Sequence, residues 1–390
     1  MKYCKKCVQP DTRPNIVFDE DGVCMACRYQ EEMDTTVDWK MREEELKEIA
    51  EWAKERSSPL GFDCTIGVSG GRDSHFQALY AKERLGLKPL LVTNAPDGQT
   101  EWGRANVENL LKFGFDLVSI RANPLVMAAA TKKGFYKYGS PVKASEYSLW
   151  ASAYTVALNY DIPLVIQGEN PVITLGISGG EMKPDGDARK MYLHNTLAGG
   201  DASEWVEPWM DPRDAAMFQF PAKELMASDI KAVFLNYYAK EWSYTNNTEF
   251  AVARGLRGNP HHTPMRTGKL SPYTSVDTTG HSYGQMLKYY KFGFGFITDE
   301  VCYMIREGRM TRDEAIPLVE MYDGKCDEEY IWDFCRYIGI TIPEFYRVRD
   351  QWVNKDLFKR GPDGKWIPKF KVGLGLLWDL SRINEMHNKK

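Results

Sequence analysis

The sequence predicts an α/β protein with a doubly wound parallel sheet, preceded by a small metal-stapled knob and followed by a mainly helical region. Three observations carry this expectation. Short apolar runs alternate with helix-length segments between residues 61 and 210. Four cysteines form two C-x2-C pairs before residue 30. Aromatic-rich segments with helical spacing then fill residues 211–390.

The knob, residues 1–35, is built on Cys4, Cys7, Cys24 and Cys27 in the pattern C-x2-C-x16-C-x2-C. Thiolate pairs at that separation are the ligand set of a tetrahedral Zn²⁺ site. Four protein ligands leave no open position, so the metal is expected to be structural. A disulfide pair and an iron–sulfur centre are the alternatives, although Met25-Ala26 between the second pair gives no redox signature. Cys64, Cys302, Cys326 and Cys335 have no ligand spacing and read as small buried hydrophobes.

Residues 36–60 contain "WKMREEELKEIAEWAKER", a charged linking helix, and "SSPLG" punctuates its end. The sheet follows. "CTIGV" (64–68), "PLLVTN" (89–94), "DLVSI" (116–120) and "IPLVIQ" (162–167) read as strands, with crossover helices in "DSHFQALYAKERLG", "EWGRANVENLLKFG" and "SEYSLWASAYTVALNY". Beyond residue 210, "ASDIKAVFLNYYAKEW", "HSYGQMLKYYKFG" and "TDEVCYMIREG" fit helices. Thr311 with Glu314 and Thr341 with Glu344 read as capping boxes. "KFGFGF" reads as packed core.

Fifty basic and 54 acidic side chains leave a net charge of −4 over 390 residues, which offers no global attraction to nucleic acid or anionic membrane. The opening "MKYCKKCVQPD" is too polar for a signal peptide, and no apolar run approaches the roughly 20 residues of a spanning helix. With a mean hydropathy of −0.46, a soluble cytoplasmic protein with reduced thiols is expected.

The segment "VSGGRDSH" (68–75) closes the first strand. A strand running into small residues and then a helix makes an anion site: glycines let backbone N–H groups approach, serines add donors, and the helix dipole favours negative charge. Neither a Walker A pattern nor a well-placed G-x-G-x-x-G is present. The six positions S-G-G-x-D-S resemble the signature of the PP-loop ATP pyrophosphatases, which split ATP into AMP and pyrophosphate. That resemblance implies an adenine-nucleotide-hydrolase-like fold. Ser69, Gly70, Gly71 and Ser74 would then hold the β,γ-phosphates and Asp73 a Mg²⁺ ion. It also implies an adenine and ribose seat at Thr93-Asn94 and a second loop at Gln167-Gly168-Glu169, where Glu169 assists the metal or is simply a satisfied acid.

"YCKKCVQPDTRPNIVFDEDGVCMACR", followed by "IGVSGGRDSHFQALY", "SVDTTGHSYGQMLKYYKFGFGFITDEV" and "IREGRMTRDEAIPLVEMYDGK", resembles the N-acetyl sugar amidotransferases of surface-polysaccharide and flagellin-glycan biosynthesis. The resemblance covers most of the chain and implies conversion of a sugar acetamido group to acetamidino at the expense of ATP. It further implies ammonia from a separate glutaminase, similar to that of histidine biosynthesis, working with a cyclase-like barrel. No glutaminase nucleophile is recognisable in the chain itself.

Asp277 and His281 are candidates for a polar catalytic pair, or else a cap and a satisfied histidine. Arg254, Arg257, His261, His262, Arg266 and Lys269 lie in a stretch without acids, suited to a sugar nucleotide's diphosphate or to plain solvation. Lys143 is a further phosphate candidate. A tRNA sulfurtransferase of the PP-loop group and a nucleotide sensor are the rival readings. Net charge and the lack of a further C-x-x-C pair weigh against the first.

Overall fold

The computed structural model describes residues 1–96, 98–177, 182–194 and 196–377. The knob leads into α1 (Met25–Thr35) and α2 (Trp39–Lys54). The sheet strands are β1 (Cys64–Gly67), β2 (Pro89–Asn94), β3 (Asp116–Ile120), β4 (Leu164–Gln167) and β5 (Lys231–Phe234). Between them lie α3 (Arg72–Glu83), α4 (Glu101–Leu111), α5 (Pro124–Tyr138), α6 (Lys143–Asn159), α7 (Pro171–Leu175) and α8 (Ala222–Ala227). After β5 come α9 (Leu235–Tyr238), α10 (Tyr244–Val252), α11 (Pro264–Thr267), α12 (Gly280–Phe292), α13 (Phe296–Arg306), α14 (Arg312–Tyr322), α15 (Glu328–Ile338) and α16 (Ile342–Trp352).

All five strands are parallel, in the order β3-β2-β1-β4-β5. Ile66 of β1 stands opposite Leu91 on one side and Ile166 on the other, so the central strands are apolar on both faces. At the edge, β3 leaves Asp116 and Ser119 exposed. Helix α6 and its neighbours cover one face of the sheet, with Tyr154 and Trp205 fully buried; α2 and α3 cover the other. This is the doubly wound α/β architecture expected from the sequence. The chain passes from β1 to β2 on one side, while β4 pairs on the other. A crevice therefore opens beyond the carboxyl ends of β1 and β4.

The sheet extends past residue 210, where the sequence placed its end. "KAVF" within a segment read as helix is β5, paired with β4 from Leu164↔Lys231 to Gln167↔Phe234. Ala232, Val233 and Phe234 are buried, and this continuous apolar run satisfies its backbone in the ladder, with only a single helical turn after it. Helix α5, unassigned from the sequence, is set by Asn123, whose side chain accepts from the Leu125 amide, and by Gly139 in the left-handed region.

The knob shares its core with the C-terminal helices: the four knob cysteines pack with Ile297, Val301, Cys302, Ala315 and Val319. Arg13 pairs with Asp299, which also takes the Lys288 ammonium at 2.7 Å. Asp323, buried, accepts from the amides of Gly295 and Ile297 and so seats the start of α13. Phe294 of "KFGFGF" is buried core. Thr311 and Glu314 form a reciprocal cap. Thr341 caps α16 without the reciprocal bond, because the Glu344 carboxylate is taken by the Tyr136 hydroxyl. Among the described residues, no helix is long and apolar enough to cross a membrane.

Candidate active site

The turn leaving β1 is shaped by two glycines with different demands. Gly70 has φ +88°, and a Cβ there would stand 2.4 Å from the Gly103 carbonyl oxygen of α4. Gly71 is extended and precedes the first residue of α3. The loop thus lies flat against α4 and aims the first amides of α3 outward, an anion-binding geometry. Ser74 Oγ sits 3.3 Å from both the Ser69 nitrogen and the Gly71 carbonyl, tying the loop to itself. His75 Nδ1 lies 2.9 Å from the same carbonyl, and burial holds His75 below its usual range.

A cavity of about 860 Å³ opens over this turn, in the upper part of the range for small-molecule sites. Ser69, Gly71, Asp73, Ser74, Glu169, Asp277 and His281 all line it. The structure therefore brings the loop, the acid after β4 and the C-terminal Asp–His pair to one place. Asp73 Oδ1 accepts from Asn247 Nδ2 at 2.8 Å and lies 3.6 Å from Arg72 Nε. Glu169 is open to the cavity but walled in by protein. Burial and then the Asp73 charge push it up to about 7, against the pull of Arg72. Two acids that disfavour each other's ionisation in a cavity suit a divalent cation with oxygen ligands.

Asp277 Oδ1 is 3.6 Å from His281 Nε2. Burial works against the Asp277 charge, but His281 and Lys269 hold it below the usual carboxylate range. Asp277 is fixed through its backbone: its carbonyl accepts from the Thr100 amide at 2.9 Å, and Thr100 Oγ1 donates to the Val276 carbonyl at 2.5 Å. A Cβ on Gly103 would fall 2.6 Å from Asp277 Cα, so this approach requires glycine.

Other expected residues lie elsewhere. Thr93 and Asn94 are buried and outside the cavity wall, Asn94 donating to Ser148 Oγ at 3.1 Å. Segment 276–278, stitched to the start of α4 just after β2, occupies that end of the sheet. Gln167 and Gly168 are also outside the wall: Gln167 is buried, and a Cβ on Gly168 would strike Gln77 and Trp242.

The basic stretch does not reach the cavity either. Arg254 stacks over Phe250 and faces Glu83 at 3.7 Å, while Arg257 and His261 are exposed. Arg266 pairs with Asp327 and Glu329 on the surface. His262 is held by Leu270 and Thr267, and Lys269 donates to the Ser275 carbonyl at 2.8 Å. Burial lowers Lys269 to about 8. Each of these cations has a protein partner or open solvent, which is why the acid-free stretch is not a diphosphate site. Lys143 donates to the Thr196 carbonyl at 2.5 Å and lies outside the wall.

Several lining groups carry no local sequence signal. Gln30, Met33 and Asp34 of α1, with Trp39, form one wall; Lys240, Tyr244, Arg306 and Glu307 come from distant segments. Helix α1 begins between the second cysteine pair, so the knob carries a wall of the cavity on its own helix. Glu146 of α6, which burial raises above its usual range, feels the His281 charge.

Cys4, Cys7, Cys24 and Cys27 place their sulfurs within 4.8 Å of one another, with Cys7–Cys24 at 3.7 Å and Cys4–Cys27 at 4.0 Å. A tetrahedron with Zn–S bonds of about 2.3 Å has edges of about 3.8 Å, so the donor set fits Zn²⁺. Backbone amides of Lys6 and Cys24 donate to Cys4 Sγ, and that of Gln9 to Cys7 Sγ, which supports thiolate charge. Burial pushes Cys326 up to about 12 and Cys335 up to about 11, in keeping with inert thiols.

A doubly wound sheet with S-G-G-x-D-S leaving its first strand defines a PP-loop protein of the ATP-pyrophosphatase class, with a zinc-ribbon knob before it. Residues 267–371, which supply Asp277, His281 and Arg306 to the cavity, match the family model described as LPS biosynthesis protein WbpG-like, C-terminal domain. That part of the chain is a WbpG-like C-terminal domain. No curated protein matches the chain by sequence. Among solved structures, NMN synthetase from Francisella tularensis is similar at 15% identity, covering 58% of this chain and 100% of its own, with a TM-score of 0.26. NAD+ synthetase from Burkholderia pseudomallei is similar at 14% identity, covering 59% and 94%, with a TM-score of 0.28.

Proposed function

We propose that the chain is an ATP-dependent, AMP-forming amidotransferase that converts a sugar acetamido group to acetamidino in lipopolysaccharide or related surface-glycan synthesis. The ammonia comes from a partner glutaminase resembling that of histidine biosynthesis, with a cyclase-like barrel subunit. One observation carries the reading: a single cavity joins the S-G-G-R-D-S loop, the Asp73–Glu169 acids and the Asp277–His281 pair of the WbpG-like domain.

An amide carbonyl is a poor electrophile whose oxygen does not leave. In the proposed reaction that oxygen attacks the α-phosphorus of ATP and the bond to the β-phosphate breaks, releasing pyrophosphate. Ammonia then adds to the resulting imidate carbon, a proton is lost, and AMP departs carrying the former amide oxygen. The α3 amides with Ser69 and Ser74 receive the pyrophosphate oxygens as charge develops there. Asp73 and Glu169 would hold Mg²⁺, which neutralises phosphate charge when bound. His281, oriented by Asp277, is placed to take the proton that addition of ammonia releases. The cysteine-bound Zn²⁺ has a structural part only, holding the α1 wall.

The test is incubation with ATP, Mg²⁺, ammonium and a panel of acetamido nucleotide sugars, read by mass spectrometry. AMP, pyrophosphate and a sugar about one mass unit lighter are expected together. Stimulation of AMP release by tRNA alone would assign the chain to the sulfurtransferases, and ADP with phosphate would refute both.

A further inference from the structure

Glu300, in the WbpG-like segment on α13, has no accessible surface. Every partner it has is a donor. The Leu270 amide lies at 2.6 Å, the Ser271 amide at 3.4 Å, the Thr274 hydroxyl at 2.7 Å and the Tyr244 hydroxyl at 2.6 Å. A carboxylate takes such a set because it has four acceptor positions and no proton of its own.

Two of these donors carry the contact onward to the S-G-G-R-D-S loop. Arg72 Nη1 donates to Thr274 Oγ1 at 3.1 Å, and the guanidinium lies 3.9 Å over the Tyr244 ring. The Tyr244 and Thr274 hydroxyls are 2.9 Å apart, so the three groups form one closed contact set around Arg72. Arg72 lines the cavity at the first position of α3, beside Asp73, and its buried Nε has no hydrogen-bond partner. A guanidinium with donor capacity left over, next to the outward-facing α3 amides, faces the place an anion would occupy.

We propose that Glu300 is a positioning residue for the phosphate site. Acting through Tyr244 and Thr274, it holds Arg72 toward the cavity, where the guanidinium receives phosphate oxygens of ATP. The inference rests on the ATP reading above and extends it: the C-terminal domain builds part of the nucleotide site as well as part of the acceptor wall. The cation that follows the two glycines keeps its direction because α13 supplies a buried charge behind it.

A double-mutant cycle on MgATP binding, measured by titration calorimetry on the zinc-loaded full chain, decides this. Arg72→Ala is expected to weaken Kd about 10- to 100-fold, the size of one charge-assisted contact. Glu300→Gln, which keeps the shape but turns an amide donor toward donors, is expected to weaken it by a similar factor. The double variant is expected to bind no worse than Arg72→Ala alone, a non-additivity that a merely structural loss would not produce. Should Glu300→Gln fail to fold, Thr274→Val carries the test, because it removes the relay hydroxyl and leaves Glu300 its other donors. It should weaken binding in the wild-type background and do nothing beside Arg72→Ala. Wild-type affinity in Glu300→Gln or Thr274→Val, or losses that multiply with that of Arg72→Ala, overturns the positioning role while leaving the ATP reading intact. A wild-type chain that binds no ATP removes that reading and this inference with it.

Discussion

Replacing Gly70 with alanine perturbs the loop at its tightest point. The backbone there has φ +88°, a region that costs an L residue about 1–2 kcal/mol. The new Cβ would sit 2.4 Å from the Gly103 carbonyl oxygen, whereas ordinary contact begins near 3.4 Å. The shortfall is about 1 Å, and the obstacle is backbone, so the loop itself must lift from α4. Overpacking of this kind costs about 1–3 kcal/mol, for a total of about 2–5 kcal/mol. Gly71→Ala is the internal control. It has φ −85°, its nearest neighbour would be Ser69 Oγ at 3.5 Å, and the expected cost is below about 1 kcal/mol. Denaturant unfolding of the two zinc-loaded variants measures the difference. Calorimetry should also find ATP affinity in Gly70→Ala reduced about 100-fold, the usual penalty for a 1 Å misplacement. Equal unfolding midpoints for the two variants, with unchanged ATP binding in Gly70→Ala, would refute the reasoning.

Glu169, pushed up to about 7, must lose a proton to hold Mg²⁺. Mg²⁺ affinity with ATP should therefore rise up to tenfold per pH unit below about 7 and flatten above it, and the slope should vanish in Glu169→Gln. A flat wild-type titration would contradict the pairing. The same shift means that the folded chain keeps a proton that the unfolded chain releases above 4.5. This group therefore favours folding most below 4.5, and the contribution fades as pH rises to about 7. Asp73→Asn should abolish AMP formation while zinc content, by elemental analysis, stays unchanged; undiminished turnover would remove its metal role. Chelating the zinc should raise hydrogen exchange in residues 25–39, the cavity wall that starts between two of the cysteines, and unchanged protection there would refute the wall assignment.

The parts of the fold that were legible in the sequence are those set by local chemistry. The strands of the central sheet, the two C-x2-C pairs and the turn at Ser69–Ser74 are each written in a short run of residues, and the structure places them where that run implies. "KAVF" was misread because four apolar residues fit a buried strand or a helical turn equally well, and only β4 as a neighbour decides between them. The basic stretch misled for a related reason. Arg266 finds Asp327 and Glu329 about sixty residues away, so an acid-free window says little about free charge. Glu300, Tyr244 and Asn247 had no signal of their own. Each acts on the loop residues Arg72 and Asp73 through contacts that tertiary packing alone creates. Asp277 and His281 stand four apart, a spacing that many helices share. Their place in the cavity depends on Gly103 and Thr100 gripping the backbone at 276–278.

The central claim is that the acetamido oxygen is carried off by adenylate. An acceptor sugar bearing ¹⁸O in its acetamido group, turned over with ATP and ammonia, follows that atom directly. The account predicts ¹⁸O in the phosphate of AMP and none in pyrophosphate, with the product sugar unlabelled at its new acetamidino group. Label found in inorganic phosphate, or kept on the sugar while AMP forms, would contradict it.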